Sequence, residues 1–220
     1  MILSVSGLEK SFGARRVLAG VDLSVAAGEC VALVGGNGSG KTTTLRAIAG
    51  LARPDAGRIE IGGVDALADG PRARRRLSYL PQRPAFPGTL TVRETLAFVA
   101  RLRGLAAARV EEEIERCELS ALSGENVAHL SGGERQRLAL ACALLPNAEL
   151  ALFDEPSSNL DARATAIFLS RAREITATGR SLLFTTHIPA DLEHLAGRIV
   201  TLSDGRVGGS RLRVLAGGQA

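Results

Sequence analysis

The residues Gly35-Gly36-Asn37-Gly38-Ser39-Gly40-Lys41-Thr42 define the first chemistry open to this chain. They match G-x-x-x-x-G-K-[ST], with the apolar run Cys30-Val31-Ala32-Leu33-Val34 before them and a helical pattern after them. Glycine lets the backbone curl so that successive N–H groups point inward, and the start of a helix adds the positive end of its dipole. Together these make a cradle for a di- or triphosphate, built mainly from main-chain donors. Lys41 supplies a full positive charge at the terminal phosphates. The hydroxyl of Thr42, with Thr43 beside it, suits Mg²⁺, an ion that prefers an octahedron of hard oxygen ligands. The chain has only one other lysine, Lys10, so Lys41 is chemically distinctive.

A second constellation narrows the first. The apolar run Leu150-Ala151-Leu152-Phe153 ends in Asp154-Glu155, which puts two acids at the carboxyl end of a core strand, where open α/β sheets bind ligands. Asp154 fits a ligand near Mg²⁺, and Glu155 fits a group that polarises an attacking water. Between the two lies Leu130-Ser131-Gly132-Gly133-Glu134, followed by a helical stretch, 135–141. Ser131 with Glu134 three residues on reads as a capping box, and a glycine-rich helix start is also an anion site.

These residues need a scaffold of strands and helices. Strand patterns at 2–5, 17–25 and 58–61, the last bounded by turn residues at 54–57 and 62–63, predict a partly antiparallel sheet near the N-terminus. Apolar runs at 30–34, 77–80, 150–153, 181–184 and 199–202, with helical stretches alternating between the last of them, predict a mainly parallel α/β core. From about 91 to 117, Leu96, Val99, Ala100, Leu102, Val110 and Ile114 fall at helical spacing, which predicts a helical subdomain inserted at about 88–147 of a single domain spanning 1–220. Glu111, Glu112, Glu113 and Glu115 read as its solvated face. The run Arg72, Arg74, Arg75, Arg76 reads as another solvated helix face, because it lacks the interleaved aromatics of a base-stacking surface.

Composition sets the outer bounds. At 220 residues, 45% hydrophobic and 23% charged, the chain has the profile of a globular domain with its own core. No apolar stretch approaches the ~20 residues that cross a bilayer, and the first residues lack a leader pattern, so the expectation is a cytoplasmic chain. Cys30, Cys117 and Cys142 match no metal spacing and are expected to be reduced thiols that pack as small hydrophobes.

With these motifs in this order, the sequence resembles the ABC ATPase family from about residue 3 to residue 206, and Leu130 to Glu134 resembles that family's LSGGQ signature. The resemblance implies a P-loop NTPase, RecA-like fold and ATP hydrolysis with Mg²⁺. It implies that Phe12, with Gly13, stacks on adenine and that Val17 flanks the ring. Gln82 corresponds to a glutamine that senses Mg²⁺ and the attacking water and couples to a permease. Ser158-Asn159-Leu160-Asp161 corresponds to the loop before the next helix, and His187 to a switch histidine at the γ-phosphate. His129 and His194 match no motif. Two such domains would sandwich two ATP molecules, with Ser131, Gly132, Gly133, Glu134 and Asp161 serving the partner's nucleotide. A homodimer is therefore expected, bound to a separate transmembrane permease on the cytoplasmic face of the membrane.

The stretches 80–87 and 90–94 resemble exporter-type ATPases of drug, haem or copper-linked systems, whereas the segment between Gln82 and Ser131 is somewhat short for the family. The resemblance leaves a soluble ATPase of iron–sulfur cluster assembly as the alternative. Nucleic-acid members of the family usually carry tandem ATPase units, a long coiled-coil insert or zinc-binding cysteines, and no nucleic acid is expected as a partner here.

Overall fold

A computed structural model describes residues 1–158 and 160–212. Its N-terminal sheet has the order β2-β1-β4-β5, formed by β1 (Leu3–Phe12), β2 (Arg15–Val25), β4 (Ala56–Ile61) and β5 (Val64–Asp65), and all its pairings are antiparallel. The first strand is longer than the 2–5 that its apolar residues suggest. It continues to Phe12 because β2 pairs with it along its length, through register shifts that absorb its irregular alternation. The two-residue tip between Phe12 and Arg15 turns on Gly13, which has φ +58°.

The second sheet has the order β10-β9-β3-β8-β7-β6. Five of its strands are parallel: β9 (Arg198–Ser203), β3 (Cys30–Val34), β8 (Ser181–Thr185), β7 (Leu150–Asp154) and β6 (Leu77–Leu80). The edge strand β10 (Arg206–Leu212), which the apolar pattern does not announce, pairs antiparallel with β9.

Strand alternation explains why the central runs are apolar throughout. On β3, Val31 and Leu33 pack toward the first sheet and α1 (Lys41–Ile48), while Cys30 and Ala32 pack toward α5 (Gly132–Leu144) and α6 (Ala162–Ala177). Strand β7 divides in the same way, with Leu150 and Leu152 on the first face and Ala151 and Phe153 on the second. A strand covered on both faces has no place for a solvated residue.

Between β6 and β7 the chain forms α3 (Val92–Arg103), α4 (Ala108–Arg116) and α5; α2 (Gly70–Arg75) lies before β6. Val92, Leu96, Val110, Ile114, Leu138 and Leu145 build a third apolar cluster there. Helix α3 starts on a complete capping box of Thr91 and Glu94 and ends at Gly104 in the left-handed region. Cys30 and Cys117 are buried, Cys142 is partly so, and burial pushes each thiol up to about 12.

One expectation for this region needs correction. Glu113 is not on the solvated face of α4: it is 1% exposed, and both its carboxylate oxygens accept from Arg171 of α6 at 2.8 Å. Arg171 is itself 6% exposed. Beside this pair, Arg116 meets Glu174, and Arg163 donates to Glu118 at 2.6 Å, so charges tie α4 and the segment after it to α6. The helical period places Glu113 beside Val110 and Ile114, but the sequence does not reveal that a cation on a helix ~58 residues away would bury it.

Replacing Glu113 by Ala is expected to leave Arg171 buried without its main partner and to cost about 3 kcal/mol of stability, whereas Glu112→Ala should change it by less than about 0.5. Urea unfolding of the two variants checks this, read as the shift in midpoint at unchanged slope.

Candidate functional site

The alternation that builds the core also selects which polar groups meet at its edge. Asp154 follows Leu150 and Leu152 on the β7 face that looks toward α1, and its partner in register on β8 is Thr185. Thr185 Oγ1 donates to Asp154 Oδ1 at 2.8 Å and accepts from the Glu155 N–H, also at 2.8 Å. From the other side, Thr42 Oγ1, at the start of α1, donates to the same Asp154 oxygen at 3.1 Å. Asp154 Oδ2 is buried and has no hydrogen-bond partner among the described residues. Burial pushes the Asp154 carboxyl above its ordinary value, opposed by the hydroxyls of Thr185 and Thr42 and by the charge of Lys41.

The loop from β3 to α1 wraps as its glycines allow. A Cβ on Gly35 would stand 2.2 Å from the carbonyl oxygen of Leu202, and Gly40 holds φ +107° where it caps α1. Lys41 is buried, and its Nζ donates to the Gly35 carbonyl at 2.8 Å and the Gly36 carbonyl at 3.2 Å. An ammonium has three donors, so two hold the loop's shape and one remains for a ligand. Ser39 Oγ is buried inside the same loop without a partner among the described residues.

Above this loop lies a cleft of about 350 Å³ lined by Phe12, Arg15, Val17, Asn37, Gly38, Gly40, Lys41, Thr42, Thr43, Gln82 and Glu155. Phe12 is 56% exposed, and Lys10, paired with Asp55 at 2.7 Å, sits 5.4 Å from its ring centre. At the opposite end Glu155 is held from three sides. Gln82 Nε2 donates to Glu155 Oε2 at 2.8 Å and Ser158 Oγ donates to it at 3.2 Å, while His187 Nδ1 stands 3.5 Å away. The backbone of Glu155 has φ +46°, a left-handed conformation that a non-glycine residue adopts only where its surroundings impose it.

The structure therefore gathers Phe12, Val17, the 35–43 loop, Gln82, Asp154, Glu155 and His187 into one region. It does not bring Ser131, Gly132, Gly133, Glu134 or Asp161 into that cleft. Ser131 Oγ donates to Glu134 Oε2 at 2.7 Å and accepts from the Glu134 N–H at 3.3 Å, the capping box expected from the spacing. Asp161 caps α6 through the Ala164 N–H at 2.7 Å, and its carboxylate lies 3.1 Å from where a Cβ of Gly133 would be. These residues form a second, outward-facing surface. Asn159 lies outside the described residues.

Two cleft residues escape the motif reading. Thr185 is a polar residue at the end of an apolar strand, and its importance depends on a register that one sequence does not display. Arg15 is placed by the hairpin turn opposite Phe12, with its guanidinium 3.2 Å from the position a Cβ on Gly38 would take. Among the described residues it has no carboxylate partner.

This fold and this site define a P-loop ATPase cassette. A family model described as ABC transporter matches residues 18–158, and the chain belongs to that family. It is 36% identical over 209 residues to the Nod factor export ATP-binding protein I of Ralstonia nicotianae, covering 93% of this chain and 65% of that protein. It is 38% identical over 209 residues to the daunorubicin resistance ATP-binding protein DrrA3 of Streptomyces coeruleorubidus, covering 93% and 66%. The chain thus spans about two thirds of the length of these curated relatives. Among solved structures, an ATP-binding subunit of an ABC transporter matches with TM-score 0.90 at 34% identity, over 96% of this chain and 90% of that one. A dimeric ATP-binding cassette in a post-hydrolysis state with ADP and Pi has the same fold, with TM-score 0.89 at 24% identity over 98% of this chain and all of that one. These relatives lend no support to the iron–sulfur alternative.

Thr185→Val keeps the shape of the β8 end and removes the hydroxyl that joins Asp154 to the Glu155 N–H. It is expected to destabilise the fold by about 1–3 kcal/mol and to lower ATP turnover more than ATP affinity. Thermal unfolding together with steady-state kinetics measures both effects.

Proposed function

We propose that this chain is the ATP-binding and hydrolysing subunit of an exporter whose membrane-crossing part is a separate permease. The observation that carries the reading is the Asp154 carboxylate, held through one oxygen by Thr42 and Thr185 while its other oxygen is buried without a partner beside the phosphate cradle. An orphaned carboxylate oxygen next to a hydroxyl is a donor set suited to Mg²⁺, with Gln82 close by through Glu155. Thr42 and Asp154 would hold Mg²⁺, whose charge would offset the negative charge of the phosphates when it is bound.

The remaining roles belong to the chain itself. The 35–42 backbone and Lys41 bind the phosphates. Phe12 offers a half-exposed ring whose surface adenine can stack on, with Val17 at its edge. Glu155 accepts a proton from the attacking water. His187 and Gln82 both approach its Oε2 and hold the carboxylate in one orientation. On this proposal 1–220 is one nucleotide-binding domain with a helical subdomain at about 88–147, and the separate apolar cluster of Val92, Leu96, Val110 and Ile114 supports that division.

A single chain holds only half of the chemistry. Ser131, Gly132 and Gly133 form a glycine-rich helix start of exposed or half-exposed residues that does not line the chain's own cleft, and Asp161 lies beside them. We infer that this surface completes the nucleotide site of a second copy, so that ATP bridges a homodimer. Membership of the transporter family supports a separate permease and a peripheral position on the cytoplasmic face; among the described residues no helix is long and apolar enough to cross a membrane.

Glu155→Gln should bind ATP and nearly stop hydrolysing it, and the uncleaved nucleotide should accumulate a stable dimer by mass action. Light scattering with and without ATP measures this, and a variant that stays monomeric at high concentration removes the homodimer. Lys41→Ala should abolish turnover. Phe12→Ala should weaken ATP by about 1–3 kcal/mol, the range of base–aromatic stacking, and leave inorganic triphosphate binding unchanged in calorimetry.

A further inference from the structure

Two buried hydroxyls that the chemistry above does not use meet at one buried carboxylate. Asp191, in α7 (Pro189–Leu195), is 1% exposed, and its Oδ2 accepts hydrogen bonds from Thr186 Oγ1 at 2.6 Å and from the Ser157 hydroxyl. Thr186 and Ser157 are buried as well. Thr186 Oγ1 also accepts from the Ile188 N–H at 3.0 Å, so it grips the chain on both sides of His187. Ser157 follows Glu155 by two residues and precedes the segment that ends in Asp161.

These bonds close a ring. It runs from Asp154 across the strands to Thr185, along the chain to Thr186, through Asp191 to Ser157, and back through Pro156 and Glu155 to Asp154. Thr185, the last residue of β8, and Thr186, just beyond it, point to opposite sides, Thr185 to Asp154 on the α1 face and Thr186 to Asp191 of α7. Glu155 sits on this ring, and His187 adjoins it between Thr186 and Ile188, which the Thr186 hydroxyl ties together. Glu155 is held at φ +46°, a conformation that persists only where neighbours over-determine it.

We propose that Asp191 is a positioning residue for hydrolysis: by holding Ser157 and Thr186 it fixes the Glu155 carboxylate and the His187 ring relative to each other without touching the nucleotide. A buried carboxylate with two hydroxyl donors is a strong tie in a low-dielectric interior, where charge-assisted bonds are short and stiff. The inference rests on the chain's being an ATPase.

The test measures steady-state ATP turnover and equilibrium binding of a fluorescent ATP analogue on the purified chain. Ser157→Ala and Thr186→Val should each lower kcat about five- to tenfold while the dissociation constant and KM stay within about twofold, the pattern of a group that acts only in the transition state. Thr186→Ser, which keeps the hydroxyl, should restore most of the turnover. The Ser157→Ala/Thr186→Val double variant should lose less than the product of the single losses, because the two act through one carboxylate. Asp191→Ala should fall further, and if it does not fold, the two hydroxyl variants decide the matter. Unchanged kcat in both hydroxyl variants overturns the proposal, as does a parallel loss of binding and thermal stability that Thr186→Ser does not rescue. A wild-type chain that binds the analogue without turning over ATP removes the ATPase reading, and this inference with it.

Discussion

The site depends on a single buried carboxylate. Asp154 stands at the end of a strand covered on both faces, where an ion loses most of its hydration. Two hydroxyls, from α1 and from β8, converge on one of its oxygens and compensate part of that loss. The other oxygen, left without a partner, makes the ligand-free arrangement electrostatically incomplete and favours a cation at that point. The phosphate loop is fastened to the same carboxylate through Thr42, so the geometry of the cradle and that of the acid are one constraint rather than two.

Around that carboxylate, the loops at the carboxyl ends of four parallel strands converge: the loop after β3 with Lys41, after β6 with Gln82, after β7 with Glu155 and after β8 with His187. Adjacent parallel strands lie about 5 Å apart, which is why residues more than a hundred positions apart reach one cleft. From the first sheet come Phe12, Arg15 and Val17, which line the far end of the cleft. The cleft is thus built from the ends of buried strands on one side and from an exposed aromatic, Phe12, on the other.

The surface that bears Ser131 and Gly133 follows a different logic. Its capping box satisfies the helix start internally, so the exposed glycines leave backbone N–H groups near an open face without a long side chain in the way. Helix α4 and the segment after it are tied to α6 by a buried Glu113–Arg171 pair and by more exposed pairs beside it. Buried pairs of this kind are better at fixing one arrangement than at adding stability. Here they hold α4 and the residues after it against α6.

Much of this protein was legible in the chain alone, because its strongest signals are local. The glycine-rich loop, the acid pair after an apolar strand and the Ser131–Glu134 spacing each describe a few consecutive residues, and their conformations follow from backbone sterics and capping. The parallel core was readable from runs too apolar to have a solvated face. Tertiary structure alone decided what depended on register and on faces: that Thr185 lies opposite Asp154, that β1 extends to Phe12, that Arg15 reaches Gly38, and that Glu113 turns inward to Arg171. It also decided that Asp191, an ordinary acid in a short helix, is a buried acceptor for Ser157 and Thr186. A hydrogen bond between distant segments depends on differences of an ångström in how strands and helices stack, and one-dimensional spacing does not encode those distances.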